Sequence, residues 1–334
     1  MKKTFSLFLI ALLTILATAC GSNSDTAAKD KEDANATPKE LPSDLAFGAS
    51  SQGGLWYPLA GAMGNEISNN NPDTSVTVIE GGTIANLLGI SQDQIDIGFS
   101  NGQVIPSAIE GKGEFKKPAK NLKTLATLYP NVMHIVVRAD SDIHSIEDLK
   151  GKKVSPGLKG YSGELAFKKI LEVNDMSYDD LGAVEYVGTA DAVNLIRDGN
   201  LDSYVGLLTA PVSSFQELDT TVGIRLIPLD QSTIDKMHEA NPAYLEYTVK
   251  KGTYPNSKND VKTVSTFTVM VANSNTISEE SAYKLTKMVV ENKEKWTNLS
   301  KTLSDFNAKF SVENNIGELH PGAKRYYKEI GALE

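Results

Sequence analysis

The sequence predicts an α/β protein whose chain forms two similar lobes, and three observations support this prediction. Short apolar runs alternate with segments of helical periodicity from Asp44 onward, which is typical of parallel strands joined by helices. The same order restarts near Lys153, and residues 194–202 weakly repeat the pattern of residues 86–96. The length of 334 residues also exceeds that of a typical single domain.

The elements of the first lobe follow one another in order. Apolar runs predict strands at residues 45–48, 75–79, 95–99 and 123–128. The segments between them predict a helix that ends near Ile67, a helix with Thr83 as its N-cap, and a helix at about 103–109.

The second lobe repeats this alternation of strands and helices. Strands are predicted at residues 135–138, 153–155, 184–187 and 201–207. Helices are predicted at 164–173, after the N-cap Thr189, and from about Pro211. The chain then returns to a strand at 264–271, a long amphipathic helix at 278–299 that starts at Ser278, and a short helix with Tyr326 and Tyr327.

The return of the chain predicts a hinge between the lobes. We expect residues 44–130 and 264–334 to form lobe I, and residues 131–263 to form lobe II. The chain then crosses between the lobes near residues 129–134 and 263–267.

The N-terminal segment has the features of a bacterial lipoprotein leader. Two lysines precede an apolar run at residues 5–16, and small residues then lead to Cys20. The segment from Leu16 to Ser22 resembles a lipobox, so we expect a signal peptide at 1–19 and acylation of Cys20. Acylation would anchor the protein to the membrane. The alternative is a plain signal peptide with an incidental cysteine.

The segment after the leader predicts a tether. Residues 20–43 contain almost no large apolar side chain, so they cannot bury enough surface to fold. We therefore expect a lipid-anchored domain on the extracytoplasmic side of the membrane.

Composition and motifs argue against several function classes. The formal charge is −9, with 42 acidic and 33 basic residues, and this is unfavourable for nucleic-acid binding. The single cysteine excludes an intrachain disulfide and a cysteine-rich metal site. The four histidines lack metal-ligand spacing, and the phosphate-binding and dinucleotide-binding glycine motifs are absent. Nothing in the sequence therefore indicates an enzyme, a metal or a cofactor.

Loops at the carboxyl ends of the predicted strands are the candidate ligand site, because ligands bind there in open α/β sheets. Glycines allow backbone N–H groups to approach a ligand, and the helix that follows favours an anion. Hydroxyls and aromatic rings complete a cleft suited to a small carboxylate. The candidate residues are Ser50, Ser51, Gly53, Gly54, Leu55, Tyr57, Thr83, Asn86, Ser100, Asn101, Tyr129, Gly160, Tyr161, Ser162, Gly163, Glu164 and Thr209.

A structural interpretation exists for each of these residues. The glycine-rich loops could be tight turns between strands and helices. Tyr57 could belong to the core, Tyr129 could pack at the hinge, and Asn86 could bond to the backbone.

Five ordered motifs resemble the TAXI family, the extracytoplasmic solute receptors of TRAP transporters. The first is Gly48-Ala49-Ser50-Ser51-Gln52-Gly53-Gly54-Leu55-Trp56-Tyr57-Pro58, and the second is Gly81-Gly82-Thr83-Ile84-Ala85-Asn86-Leu87. The others lie at residues 128–138, 148–154 and 319–327. The sequence departs from the family pattern at Leu55-Trp56, at residues 99–101 and at residues 157–163.

This resemblance implies a type II periplasmic-binding-protein fold, in which two α/β lobes are joined by hinge strands and a ligand binds in the cleft between them. It implies a small organic acid, similar to glutamate or 2-oxoglutarate, as the ligand. It also implies the subunits of a TRAP membrane permease as the partner. The alternatives are a ligand sensor for a membrane signalling partner and, less favoured, an extracellular lyase or transferase on the same scaffold.

Overall fold

A computed structural model describes residues 41–50, 52 and 54–334. The predicted signal peptide, Cys20 and the tether up to residue 40 lie outside the described residues, as do Ser51 and Gly53. The described residues belong to one compact unit. Its fold is mixed α/β, with a ten-stranded sheet in this part of the chain.

The first half of the chain forms parallel βα units, as predicted. Strands β1 (Asp44–Gly48), β2 (Ser75–Ile79) and β3 (Ile97–Asn101) lie in the order β2-β1-β3. Both neighbours of β1 run parallel to it. The helices that accompany these strands are α1 (Trp56–Asn70), α2 (Thr83–Ser91) and α3 (Ile105–Glu110).

Two long antiparallel strands connect the halves of the molecule. They are β4 (Leu122–Arg138) and β10 (Val261–Asn273). The C-terminal part of β10 also pairs with β3, whereas its N-terminal part pairs with β9 (Leu245–Val249). The C-terminal part of β4 pairs with β7 (Ser203–Leu208) and β8 (Ile224–Leu226).

The second half adds a smaller set of parallel strands. Strand β5 (Lys153–Ser155) lies between β6 (Ala183–Val184) and β7, and is parallel to both. The helices here are α4 (Ser162–Val173), α5 (Thr189–Arg197), α6 (Ser213–Thr221) and α7 (Gln231–Ala240).

The C-terminal helices pack on the first half of the chain. They are α8 (Glu279–Glu291), α9 (Lys293–Leu299), α10 (Ala308–Glu313) and α11 (Pro321–Glu329). Their buried residues, which include Trp296 and Tyr327, share one apolar cluster with Phe47 and Leu59. Ser278 caps α8 by accepting a hydrogen bond from the Ser281 N–H, which confirms the predicted helix start.

The apolar core is divided between the two halves. Two clusters of buried residues draw on residues 45–129 and 269–327. Two further clusters draw on residues 132–264. The core therefore changes where β4 and β10 cross from one half to the other, and the predicted lobe limits at 130/131 and 263/264 stay a prediction.

Strand β4 is continuous where the sequence predicts two strands. The prediction placed Tyr129 and Pro130 between two strands, and proline cannot donate a hydrogen bond to a sheet. In the structure Pro130 lies opposite Phe267 of β10, and pairing with β7 begins only at Val132. One edge of β4 is therefore unpaired at Pro130, so a residue without an N–H is tolerated there.

Other predicted boundaries were wrong. The helix predicted at 278–299 is two helices, because Asn292 bonds its side chain to the Met288 carbonyl and separates α8 from α9. Thr83 and Thr189 are the first residues of their helices, and Gly82 and Gly188 occupy the N-cap positions with extended backbones.

The region 222–263 contains elements that the sequence did not reveal. Strands β8 and β9 and helix α7 all lie in it, and β6 is shorter than predicted. Strand β8 has three residues and β9 has five. Strand β8 pairs with β4 and β9 pairs with β10, so both depend on distant partners and not on a local strand-helix repeat.

Candidate ligand-binding cleft

Three helix N-termini lie at loops that follow parallel strands. Helix α1 follows β1, α2 follows β2, and α4 follows β5. The first turns of these helices carry unsatisfied backbone N–H groups and the positive end of each helix dipole. This arrangement favours an anionic group at the three loops.

A chain of buried polar side chains begins at helix α1. The Trp56 indole N–H donates to the Thr268 hydroxyl over 3.1 Å. The Asn131 amide donates to the same hydroxyl over 2.5 Å, and to the Asn101 side-chain oxygen over 2.6 Å. Strands β10, β4 and β3 are therefore joined through uncharged side chains on one face of the sheet.

Asn101 continues this chain into the second half of the molecule. Its amide donates to the Ser162 hydroxyl at the start of α4 over 2.7 Å, and to the Thr83 hydroxyl over 3.3 Å. The Ser100 hydroxyl donates to the Thr83 carbonyl over 3.4 Å. We call Trp56, Thr83, Ser100, Asn101, Asn131, Ser162 and Thr268 the cleft network.

Further contacts hold the two halves together. The Tyr161 hydroxyl donates to the Gly81 carbonyl over 2.5 Å. A Cβ atom at Gly82 would lie 3.0 Å from the Tyr161 ring. The Asn241 amide, just after α7, donates to the Gln103 carbonyl over 2.7 Å. The loops of the two halves are thus in direct contact around the cleft network.

Several predicted site residues have a clear role in supporting the loops. The Asn86 amide donates to the Ala49 and Phe99 carbonyls over 2.9 and 2.8 Å, so it joins the ends of β1 and β3. Tyr129 is 1% exposed in the first-half core, and burial raises the pKa of its phenol. Leu55 and Tyr57 are half-buried against the same core.

Glu164 is turned away from the cleft network. Its carboxylate accepts hydrogen bonds from Lys168 over 2.6 Å and from the Tyr178 hydroxyl over 3.3 Å. Ser162 and Leu165 lie on the face of α4 that contacts the first half, since Leu165 packs on a first-half cluster. Burial, with the nearby carboxylate, raises the pKa of Tyr178.

The remaining predicted residues occupy the surrounding loops. Ser50 is half-buried, Gly54 is exposed, and Thr209 is half-buried beyond the end of β7. Gly160 donates its N–H to Glu164. Gly163 lies so close to β7 that a Cβ would approach the Leu207 nitrogen to 3.0 Å. Among the described contacts, none joins Thr209 to the cleft network.

The prediction omitted four polar residues that the structure places at the cleft. Asn131, Thr266 and Thr268 lie on the crossing strands, and Gln103 follows β3. Strand-end loops were the signal used, and Asn131, Thr266 and Thr268 fall outside it because they lie inside long strands. Gln103 lies just after β3 and was not selected. The polar alternation Thr266, Thr268 within an apolar strand could have indicated them.

A separate groove of about 360 Å³ lies between β10 and the loops of the second half, lined by His144, Glu147, Asn174, Asp230, Thr233 and Lys262 among others. None of the predicted site residues borders this groove. No cluster of potential metal ligands occurs within residues 41–334 as described. In the same part of the chain, every helix is too short or too polar to cross a membrane.

The fold is shared with known binding proteins. PhnD1 from Prochlorococcus marinus, solved with methylphosphonate, superposes with a TM-score of 0.54 at 12% identity; the match covers 87% of this chain and 99% of PhnD1. The periplasmic aliphatic sulphonate binding protein SsuA from Escherichia coli gives a TM-score of 0.44 at 16% identity, over 79% and 75% of the two chains. The match to PhnD1 identifies the architecture as the two-lobe periplasmic-binding-protein fold.

The sequence match is broader than any one motif. The profile of the NMT1-like family matches residues 47–331, which include every described strand and helix except the first residues of β1. The chain therefore belongs to the NMT1-like family.

Proposed function

We propose that this protein is an extracytoplasmic solute receptor that captures a small organic acid between its lobes and delivers it to a membrane permease. The observation that carries the proposal is Asn101, which bonds to both halves of the molecule and to the first residues of helices α2 and α4. Lobe I is residues 44–130 and 264–334, and lobe II is residues 131–263.

The uncharged hydrogen-bonding groups of the cleft favour a small anion that is bound without a basic side chain. The cleft network contains amide, hydroxyl and indole groups, and no lysine or arginine takes part in its described contacts. Helix N-termini can stabilise a carboxylate through backbone N–H groups and their dipoles. A carboxylate of glutamate or 2-oxoglutarate size suits this arrangement.

Closure of the two lobes would create a surface that the membrane permease can distinguish from that of the open receptor. The contacts from Tyr161 to Gly81 and from Ser162 to Asn101 exist only when the lobes meet. A ligand that contacts both lobes stabilises the closed form by its differential affinity. The permease would then recognise the closed surface.

The five TAXI-like motifs support a TRAP permease as the partner. The sulphonate and methylphosphonate in the names of SsuA and PhnD1 make those anions the main alternative ligands to test. A lipid anchor at Cys20 would keep the receptor near its permease. Binding without turnover distinguishes this role from a lyase or transferase, and a neighbouring permease gene distinguishes it from a sensor.

The test is calorimetric titration of the mature chain with glutamate, 2-oxoglutarate, methylphosphonate and an alkanesulphonate. We expect binding of a carboxylate, with at least tenfold weaker binding in Asn101→Ala. Asn69→Ala is the matched control, because Asn69 is exposed on α1. Binding of a phosphonate or sulphonate alone would contradict the carboxylate assignment, and equal binding by Asn101→Ala would contradict the cleft.

A further inference from the structure

Gln103 is a buried side chain with no partner. It lies in the short 3-10 turn Gly102–Val104 after β3 and is 4% exposed. Neither its amide nitrogen nor its amide oxygen has a hydrogen-bond partner among the described residues. Its carbonyl, in contrast, is held from the second half by Asn241. The residue is therefore fixed at the junction of the lobes while its amide stays unused.

Thr266 is a second such group close to the same turn. It is fully buried on β10, and its hydroxyl also lacks a partner in the described part of the chain. A Cβ at Gly102, the residue before Gln103, would lie 3.4 Å from the Thr266 oxygen. Thr266 pairs with Asn131 and is two residues before Thr268, so it lies on the sheet face of the cleft network.

Unpaired polar groups at two buried residues near one turn are costly in a folded protein. Buried amides and hydroxyls normally find partners, since each loses its hydrogen bonds to water. Leucine at residue 103 and valine at residue 266 would avoid this cost at similar volume. The polar groups therefore indicate a partner that the protein chain itself does not supply.

We propose that Gln103 and Thr266 form a second polar subsite of the cleft, which binds the distal polar group of the ligand. This inference rests on the proposed function. A carboxamide and a hydroxyl each donate and accept hydrogen bonds, so the subsite takes a carboxyl, carboxamide or hydroxyl group. The ligand is then a bifunctional acid, with one carboxylate at the helix N-termini and a second polar group at Gln103 and Thr266.

The test compares acids of equal chain length by calorimetric titration of the mature chain. The probes are 2-oxoglutarate and L-glutamate, which are bifunctional, and pentanoate, which has one polar end. We expect the wild type to prefer a bifunctional acid over pentanoate by at least tenfold. Gln103→Leu and Thr266→Val should each reduce this preference at least fivefold and leave pentanoate binding unchanged.

Thermal unfolding of the ligand-free variants provides an independent measurement. Gln103→Leu and Thr266→Val should keep or raise the Tm, because each removes an unpaired buried group. Thr263→Val is the matched control on β10: the Thr263 hydroxyl donates to the Met133 carbonyl over 3.0 Å, so this change should lower the Tm and keep the ligand preference. A lower Tm in Gln103→Leu with unchanged preference would show a structural role and overturn the subsite.

The outcomes separate the two proposals. If the wild type binds a bifunctional acid and Gln103→Leu retains the full preference, the subsite is refuted and the receptor function stands. If the wild type binds pentanoate as tightly as both bifunctional acids, the subsite is refuted in the same way. If it binds none of the three acids, the carboxylate receptor itself is refuted, and the subsite with it.

Discussion

Gly82→Ala should weaken ligand binding without weakening the fold. Gly82 is the N-cap of α2 and has an extended backbone with a φ of 167°, which alanine adopts without strain. The added Cβ would lie 3.0 Å from the Tyr161 ring of the opposite lobe, tighter than ordinary van der Waals contact. The ring cannot withdraw freely, because its hydroxyl is bonded to the Gly81 carbonyl.

The size of the effect follows from overpacking at this contact. Inserting a methyl group into a well-packed contact costs about 1–3 kcal/mol. The cost falls only on the closed form, so the dissociation constant should rise about 5- to 150-fold at about 1.4 kcal/mol per factor of ten. The Tm of the ligand-free protein should stay within about 2 °C of the wild-type value, because closure is not needed for folding.

The assay is calorimetric titration together with thermal unfolding of the mature chain. Gly188→Ala is the matched control: Gly188 is also an N-cap glycine before a threonine, but its added Cβ meets nothing within 4 Å. It should change neither affinity nor Tm. Unchanged affinity in Gly82→Ala, or an equal loss in Gly188→Ala, would refute the assignment of Tyr161 and Gly82 to the closing contact.

Three other predictions concern buried polar groups. Asn86→Ala should lower the free energy of unfolding by about 2–4 kcal/mol in urea titration, because two buried carbonyls lose their donor; a loss below about 1 kcal/mol would contradict this role. Ser162→Ala should weaken ligand binding about tenfold and change the Tm little, since its hydroxyl contacts the other lobe; unaltered affinity argues against a role in closure. Burial lowers the pKa of His134 to about 4 in the folded protein, compared with about 6.5 in the unfolded chain. As the pH falls, this histidine is therefore protonated first in the unfolded chain, which favours unfolding. Stability should therefore fall by up to about 3 kcal/mol between pH 6.5 and 4, and His134→Gln should flatten this dependence in urea titrations; an equal slope in both proteins would exclude His134 as the cause.

The regular βα units could be predicted from the sequence because their hydrophobic period is local. Strand β2 was predicted at its observed limits, and β5 likewise. The elements at 222–263 could not be predicted in this way, since β8 and β9 gain their order from pairing with distant strands β4 and β10. Their stability depends on contacts that no short window of sequence records.

The candidate site was predictable in part for the same reason. The loops before α2 and α4 follow from the strand-helix pattern, and the structure brings Thr83 and Ser162 to the same asparagine, Asn101. Asn131 and Thr268 are 137 positions apart in the chain. They meet only because of the register between β4 and β10. Register of this range is set by tertiary packing and cannot be deduced from local residue types.

No lysine or arginine takes part in the described contacts of the cleft network, and this has a consequence for release of the proposed ligand. A buried arginine paired with a carboxylate would be left as an uncompensated charge each time the cleft emptied, which is strongly unfavourable. Amides, hydroxyls and helix N-termini leave no net charge when the anion departs, and water can satisfy them once the lobes separate. Under the proposed function, in which the receptor binds an acid and then releases it to a permease, the neutral donors around Asn101 are therefore an advantage. The unpaired Gln103 fits the same principle, because its amide can contact a polar ligand group without holding a charge.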